Sequence, residues 1–270
     1  MSFCHSLHLN IEENMEQFLK VALLAAQESK KMIRKAYEAQ GFNITIKGDY
    51  TPVTEVDVNV ETLIRSIIVE NFPEHGFWGE EGGMINPESD YQWLIDPIDG
   101  TKAFIRRRPF FSTQIALMYK GEIILGVSSA PCFGEGEMAY ATKGNGTFIN
   151  GERVHVSDIT ELKDAVFSSG NIKSLAKDST KWQNYGQLLL AINSTRGFGD
   201  FLHYHYTAAG KVDIVVESDV TILDVAALSI IVTEAGGKVT DLAGQPLSLE
   251  STNIVATNGA LHDAVLSYLQ

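Results

Sequence analysis

Apolar residues recur every three or four positions early in the chain, which is the period of an amphipathic helix. The first such stretch runs from Met15 to Tyr37, and its apolar or small positions are Phe18, Ala22, Ala25, Ser29, Met32 and Ala36. A second stripe within residues 54–72 comprises Val60, Leu63, Ile64, Ile67 and Ile68. The pattern predicts two helices, the second capped by Thr54 with Asp57 in its first turn. The sequence ITIK, residues 44–47, predicts a short strand between them.

The next part of the chain favours strands. Residues 93–95 form an apolar strand that is expected to stop at Asp96, and residues 111–119 and 122–130 predict a hairpin around Lys120 and Gly121. Two Asn-Gly pairs in KGNGTFINGERV predict a further antiparallel pair. We expect the first half to combine helices with a mainly antiparallel sheet.

The second half has a different order of elements. Strands are predicted at 212–217, 238–241 and 253–258, with helices at 223–237 and 259–269. This order is typical of α/β layering, so the expected fold class is mixed α+β and α/β. Because no Pro-, Gly- or Ser-rich linker separates the halves, we expect residues 1–270 to form one catalytic unit. Its two lobes would span about 1–155 and about 156–270.

Charge and cysteine content restrict the partners. The net charge of −13 argues against a nucleic-acid backbone as ligand, because phosphate binding needs clustered Lys and Arg. Any phosphate bound here would need cations. The two cysteines are too few for a disulfide framework, which predicts a reduced cytoplasmic location. The first residues show no cationic flank followed by an apolar core, which predicts no membrane contact.

Carboxylates are concentrated in two neighbouring segments. WGEEGG, residues 78–83, carries Glu80 and Glu81, and WLIDPIDGTKAF, residues 93–104, carries Asp96 and Asp99. A lone Asp-x-x-Asp is common in solvated loops, but four clustered carboxylates repel one another unless a cation lies between them. Hard oxygen donors without nearby Cys or His suit Mg²⁺ or Mn²⁺. Gly100 and Thr101 then open a predicted helix whose N-terminus could accept an anion.

These segments, together with LDVAALSIIVTEAGG at 223–237, resemble the motif set of the inositol monophosphatase superfamily. The resemblance extends over nearly the whole chain. It implies a layered αβαβα sandwich and a lithium-sensitive, Mg²⁺-dependent phosphomonoesterase that forms a homodimer.

The resemblance also implies a set of site residues. Two to three Mg²⁺ ions, with Mn²⁺ as a possible substitute, would be held by Glu80, Asp96, the carbonyl of Ile98, Asp99 and Asp224. Thr101, linked to Asp57, would orient the attacking water, and Glu80 would hold the third ion. From the residues alone, Asp57 could instead be only a helix-start charge and Asp224 only a helix cap.

Substrate choice is expected to depend on residues 195–224. The substrate contacts implied are Asp99, Gly100, Thr101, Arg196, Asp200, Glu217 and Asp224. The arrangement from Arg196 to Phe201 resembles the histidinol-phosphatase branch, and acid at Asp200 and Glu217 would favour a cationic substrate. Histidinol phosphate is therefore the first prediction.

Other interpretations stay open at this point. Asp200 could only brace Arg196, which leaves inositol 1-phosphate as the substrate, and aromatic residues at 198–206 keep a 3′-phosphoadenosine nucleotidase possible. A non-catalytic scaffold or sensor would retain the fold without turnover. Arg106–Arg108 fit a solvated helix end better than a phosphate guide, and His203 and His205 are interpreted as structural. Lys47 is a candidate basic neighbour of the site.

Overall fold

A computed structural model of the chain describes residues 2–39, 43–46 and 52–270. Its helices are α1 (Ser2–Glu38), α2 (Glu55–Asn71), α3 (Thr101–Ile105), α4 (Lys173–Lys177), α5 (Ser179–Ala191), α6 (Asp200–Ala208), α7 (Ile222–Glu234) and α8 (His262–Leu269). The strands of the first half are β1 (Ile44–Ile46), β2 (Pro52–Thr54), β3 (Gly76–Gly79), β4 (Gly83–Ile85), β5 (Tyr91–Asp99), β6 (Ser112–Tyr119), β7 (Glu122–Ala130), β8 (Glu137–Thr142), β9 (Gly146–Ile149) and β10 (Glu152–Val154). Those of the second half are β11 (Val166–Ser169), β12 (Ser194–Arg196), β13 (Ile214–Ser218), β14 (Lys238–Thr240) and β15 (Asn253–Thr257). Lys47 lies outside the described residues.

Two large sheets and three helical layers alternate through the molecule, and β1 and β2 pair separately as a two-stranded sheet. The larger sheet has the order β10-β9-β8-β7-β6-β5-β3-β4, and only its β3–β5 pair is parallel. The smaller sheet has the order β12-β11-β13-β15-β14. The predicted mainly antiparallel first half and the α/β second half are both confirmed.

Strand periodicity explains the layering, because successive side chains point to opposite faces of a sheet. Ile95 and Ile115 face a core shared with α1 and α2, whereas Leu94 and Ala116 face a core shared with α6 and α7. In the smaller sheet Val215 faces that second core, and Val216 packs with α5 and α8 on the far side. The order is therefore helices, sheet, helices, sheet, helices, as the resemblance implied.

Of the three predicted turn signals of the larger sheet, Lys120–Gly121 and the second Asn-Gly pair form tight turns, whereas in the first pair only Gly146 has a positive φ. Lys120 and Gly121 have φ of 50° and 85°, and Asn150 and Gly151 also have φ of 50° and 85°. Two successive positive φ angles are those of a type I′ turn, which suits the twist of a hairpin.

The prediction that a strand ends at Asp96 was wrong. β5 continues to Asp99 and pairs with β6 on both sides of an irregularity in register between Asp96 and Asp99. Pro97 lies in this interval and has no N–H to give to the partner strand. The irregularity places two acidic side chains at one end of the sheet.

Several helix boundaries also differ from the prediction. α1 begins at Ser2, well before Met15, and α4, α5 and α6 were not predicted. Most residues of α6 are buried, including the polar His203 and His205, so the segment has no amphipathic stripe to reveal a helix.

Candidate active site

Five chain segments converge at one end of the larger sheet. Glu80 follows β3, while Asp96, Ile98 and Asp99 lie at the irregular end of β5. Asp57 lies in the first turn of α2, Thr101 begins α3, and Asp224 lies in the first turn of α7. The sequence places these residues far apart, and the parallel β3–β5 pair and the two helix starts bring them together.

The centre of the site is a group of three carboxylates. One oxygen each from Asp96, Asp99 and Asp224 lies within 4.8 Å of the others. Burial, and then the negative charges of Glu80, Asp99 and Asp224, raise the pKa of Asp96 well above its usual range. Burial, followed by the charges of Asp200, Asp224 and Glu217, does the same to the pKa of Asp99. Such mutual repulsion is what a hard cation bound by carboxylate oxygens would relieve, so the donor set fits a divalent metal.

The other acidic residues lie on two sides of this group. Asp200 and Glu217 line one cavity with Asp99 and Asp224, whereas Glu80 follows β3, and its charge raises the pKa of Asp96 and of Asp224. The site therefore has a Glu80 end and an Asp200 end, with the three-carboxylate group between them. The backbone at its centre is fixed by the Ile98 N–H, which donates to Asp96 Oδ1 at 3.0 Å.

Asp57 connects the start of α2 to Thr101. Its Oδ2 accepts the backbone N–H of Thr54 at 2.9 Å, which completes a capping box with the hydroxyl of that threonine. Its Oδ1 accepts from the Thr101 hydroxyl at 3.2 Å, and the carbonyl of Ile98 lies 3.1 Å from the same hydroxyl. Burial raises the pKa of Asp57, and its hydrogen bonds oppose that effect. Asp57 is thus a helix-start charge and a partner of Thr101 at once.

Asp224 likewise combines the two roles considered for it, as a helix cap and as a member of the carboxylate group. Its Oδ2 accepts the Thr221 N–H at 2.7 Å, as part of a second capping box at the start of α7. The same carboxyl group belongs to the three-carboxylate group.

Glu217 is held rigidly at the other end of the site. Its Oε1 accepts the Asn171 N–H at 3.0 Å, and its Oε2 accepts from the Tyr204 hydroxyl at 2.8 Å and lies 3.1 Å from His203 Nε2. Burial alone would raise the pKa of Glu217, but His203 and these hydrogen bonds lower it overall. Glu217 therefore retains its negative charge although it is buried.

Asp200 adds a second acid beside Glu217. Asp200 begins α6 with φ of 47°, a left-handed conformation that is uncommon outside glycine. Burial and the charge of Glu217 raise the pKa of Asp200 to about 6, while His203 and Arg108 oppose the rise. A cavity beside it is lined by the polar residues Asp99, Asn171, Asp200, Tyr204, Glu217 and Asp224 and by the apolar Val220, Val225 and Leu228.

Arg196 lies apart from this cavity. It is exposed, and its guanidinium donates to the carbonyl of the adjacent Thr195 at 2.7 Å. Arg108, rather than Arg196, is the arginine whose charge acts on Asp200. Arg107 donates to the carbonyls of Ala36 and Ala39, so this part of the arginine run binds the end of α1.

The helix whose N-terminus was predicted to accept an anion is shorter than expected. α3 is a single turn of five residues, which makes its dipole weak. Gly100 precedes it with φ of 90°, and a Cβ there would lie 2.9 Å from the carbonyl oxygen of Phe110. Gly100 thus allows the chain to turn from β5 into α3.

Sequence reasoning missed four residues that organise the site. Asn171, His203 and Tyr204 hold Glu217, and Glu61 binds the loop after β3. Only Glu61 has a sequence signal, since a Glu on the apolar side of a predicted helix needs a partner. His205, by contrast, is structural as predicted, because it lies between Glu137 and Ser128 at 2.7 and 2.9 Å.

Comparison with known proteins decides the family. Residues 14–270 match the model of the inositol monophosphatase family. The chain belongs to the inositol monophosphatase family. A histidinol-phosphatase from Mycobacterium tuberculosis is 38% identical, with 93% of this chain and 97% of that protein covered. A fructose-1,6-bisphosphatase/inositol-1-monophosphatase from Thermotoga maritima is 37% identical, with 79% and 80% covered.

Solved structures of this family have the same fold. The extragenic suppressor protein suhB from Bartonella henselae superimposes with a TM-score of 0.85 at 31% identity, covering 94% of this chain and 98% of that one. The chain is accordingly a phosphoric monoester hydrolase of a family that acts on small phosphorylated substrates. Among the residues that the structure describes, no helix is both long and apolar enough to cross a membrane.

Proposed function

We propose that this family member is a Mg²⁺-dependent histidinol-phosphate phosphatase. The observation that carries the proposal is the arrangement of the acidic residues in the site. A three-carboxylate group suited to a divalent metal adjoins Asp200 and Glu217, which are suited to a cationic substrate.

Metal binding would involve the residues expected from the sequence. Glu80, Asp96, the Ile98 carbonyl, Asp99 and Asp224 would hold two to three Mg²⁺ ions, or Mn²⁺ in their place. Bound there, Mg²⁺ would acidify a water molecule and neutralise charge on the phosphate and the leaving oxygen.

Thr101 and Asp57 supply the chain's own contribution to water attack. The Thr101 hydroxyl has two acceptors within reach, Asp57 Oδ1 at 3.2 Å and the Ile98 carbonyl at 3.1 Å. With the Ile98 carbonyl bound to metal, the hydroxyl would donate to Asp57 Oδ1. A water molecule that donates to the Thr101 oxygen would then be oriented toward the phosphorus, with Asp57 as the eventual proton acceptor.

The Asp200 end of the site, which includes Glu217, favours a substrate with positive charge. Histidinol phosphate carries an ammonium group and an imidazole, whereas inositol 1-phosphate offers only hydroxyls. Glu217 keeps its charge, and its orientation is fixed by His203 and Tyr204, so it can bind a cation without reorganisation. The histidinol-phosphatase name of the relative from Mycobacterium tuberculosis supports the same substrate.

The interpretation of Asp200 as a brace for Arg196 has less support. Arg196 donates to the neighbouring Thr195 carbonyl instead. Nucleotidase activity also has less support, because Phe201 and Tyr204 are buried, at 0% and 1% exposure, and the half-buried Phe198 and Tyr206 pack edge to face on each other.

Inositol 1-phosphate is the second candidate substrate. It is favoured by the relative from Thermotoga maritima, whose name includes inositol-1-monophosphatase and which is nearly as similar. A catalytically inactive scaffold or sensor would instead show no turnover of either ester.

The deciding experiment measures phosphate release from histidinol phosphate and from inositol 1-phosphate, side by side, over a range of Mg²⁺ concentrations with an EDTA control. We expect kcat/KM for histidinol phosphate to be at least about tenfold higher, a difference of about 1.4 kcal/mol in transition-state binding. A preference for inositol 1-phosphate would overturn the substrate but not the metal chemistry. Metal-independent release, or no release, would overturn the proposal as a whole.

Two further expectations accompany this proposal. A homodimer in a reduced cytoplasm is expected from the family resemblance and from the two cysteines. Sedimentation at micromolar concentration would test the dimer.

A further inference from the structure

The WGEEGG segment contains more than a metal ligand. Glu80 has a proposed role as a metal ligand. Glu81 and the glycines on either side of the two glutamates have no part in the proposed chemistry. Their surroundings point to Glu61, a residue of α2 that is only 4% exposed.

Glu61 binds the backbone of this loop with both carboxylate oxygens. Oε2 accepts the N–H of Glu81 at 2.7 Å, and Oε1 accepts the N–H of Gly82 at 2.6 Å. Hydrogen bonds from backbone N–H groups to a buried carboxylate are short and strong, since the acceptor is charged and water is excluded.

The glycines of the segment make room for this carboxylate. A Cβ on Gly79 would lie 2.4 Å from Glu61 Cδ, and a Cβ on Gly82 would lie 2.6 Å from Glu61 Oε1. Neither glycine has the positive φ that would by itself require glycine. Their lack of a side chain is therefore explained by the close approach of Glu61.

The backbone is consequently held by hydrogen bonds at Glu80 and at the two residues that follow it. Its own N–H donates to the Ile95 carbonyl at 3.2 Å, which extends the parallel β3–β5 ladder by one bond. The next two N–H groups along the chain are held by Glu61. Between these anchors, the side chain of Glu80 is placed so that its charge acts on Asp96 and Asp224.

We propose that Glu61 is a positioning residue, which holds the loop after β3 so that Glu80 faces the three-carboxylate group. The inference rests on the proposed function, in which Glu80 is a metal ligand. It assigns Glu61 no contact with metal or substrate. Its loss is expected to weaken metal binding while the fold is retained.

The test compares Glu61→Gln with wild-type protein. An amide of the same shape can accept only one of the two N–H groups and turns its own N–H toward the other. We expect the Mg²⁺ concentration for half-maximal activity to rise about tenfold or more, as when groups that orient metal ligands are removed. At saturating Mg²⁺, KM for the ester should change little.

A second measurement avoids activity altogether. The melting temperature is recorded without metal and at increasing Mg²⁺ or Mn²⁺, and metal binding is titrated by calorimetry. Without metal, Glu61→Gln should melt somewhat below wild type, because one buried N–H group of the loop loses its acceptor. It should in addition need about tenfold more metal than wild type for the same rise in melting temperature. Glu70→Gln, an exposed glutamate of the same helix, is the matched control and should behave as wild type.

Gly82→Ala provides an independent variant, because its Cβ would displace the Glu61 carboxylate without removing it. It should raise the metal requirement in the same direction, and it decides the matter if Glu61→Gln fails to fold. A metal requirement equal to wild type in the folded variants would overturn the inference and leave the proposed function intact. Failure of wild-type protein to respond to metal would overturn both.

Discussion

Asp57 and Asp224 occupy the same position in two different helices, and each accepts the backbone N–H of the threonine that caps its helix. The distances are 2.9 Å from Thr54 and 2.7 Å from Thr221. Each aspartate is the third residue of its helix and part of a capping box. Because one oxygen is fixed by the cap, the rest of each carboxyl group is held in place for the site, on Thr101 in one case and beside Asp96 in the other.

The central carboxylates should lower the stability of the metal-free protein. Burial and the charges around Asp96 disfavour its ionised form, so Asp96→Asn removes a repulsive charge. We expect the metal-free melting temperature of this variant to rise by about 2–5 °C. Phosphatase activity should fall by roughly a thousandfold or more, since a metal ligand is lost.

Calorimetry with and without Mg²⁺, together with phosphate release, would measure both effects of Asp96→Asn. Asp90→Asn, an exposed aspartate near the start of the same strand, serves as the control for a simple change in net charge. Retained turnover in Asp96→Asn would show that the metal assignment is wrong.

Thr101 is expected to act on the chemical step rather than on binding. Thr101→Val keeps the shape of the side chain but removes the hydroxyl that lies 3.2 Å from Asp57 Oδ1. We expect kcat to fall about 100-fold with KM nearly unchanged, because the hydroxyl orients water and not the ester. Thr101→Ser, which keeps the hydroxyl, should retain most of kcat in the same steady-state assay. A fall in both variants alike would point to packing as the cause.

Local patterns in the sequence predicted much of this fold, and they failed where tertiary contacts decide. The stripe ending at Ile68, the Thr54 cap and the Lys120–Gly121 turn are local signals, and each is present. The continuation of β5 beyond Asp96 depends on pairing with β6, which no local pattern reveals.

Some residues of the candidate site could likewise be expected from sequence motifs, whereas others depend on tertiary packing. Glu80, Asp96, Asp99 and Asp224 were expected from the family resemblance, because each lies in a short motif, and the structure brings the last three together. The partners of Glu217 could not be expected in this way, because His203 reaches it only through the packing of α6 against β13. The effect of the Arg108 charge on the pKa of Asp200 likewise depends on two segments that are far apart in the chain.

Asp200 is expected to determine which ester is preferred. Asp200→Asn removes a negative charge at the Asp200 end of the site and keeps the shape of the side chain. We expect kcat/KM for histidinol phosphate to fall about tenfold and that for inositol 1-phosphate to stay within about twofold. Asp263→Asn, an exposed aspartate in the first turn of α8, is the control. Equal losses for the two esters would remove the specificity argument.

His262 should make the protein less stable in mild acid. The imidazole is fully buried between two threonine hydroxyls, with Thr240 at 2.9 Å from Nε2 and Thr257 at 3.1 Å from Nδ1. Burial, and then the charge of Lys238, lowers the pKa of His262 to about 4. In the unfolded chain the pKa is about 6.5, so between these values the unfolded state binds a proton that the folded state does not. The stability due to neutral His262 is therefore complete above about pH 6.5 and is lost as the pH falls toward 4.

Urea unfolding at pH 7.5 and pH 4.5 would measure this loss in wild type, His262→Gln and the exposed control His155→Gln. The level of stability will differ in His262→Gln at every pH because buried hydrogen bonds change, so the informative quantity is the difference between the two pH values. We expect that difference to be smaller by about 2–3 kcal/mol in His262→Gln than in wild type, and unchanged in the control. Contributions from the acidic site are common to all three proteins and cancel in the comparison. An equal difference in all three would mean that His262 takes up its proton in the folded protein as readily as in the unfolded chain.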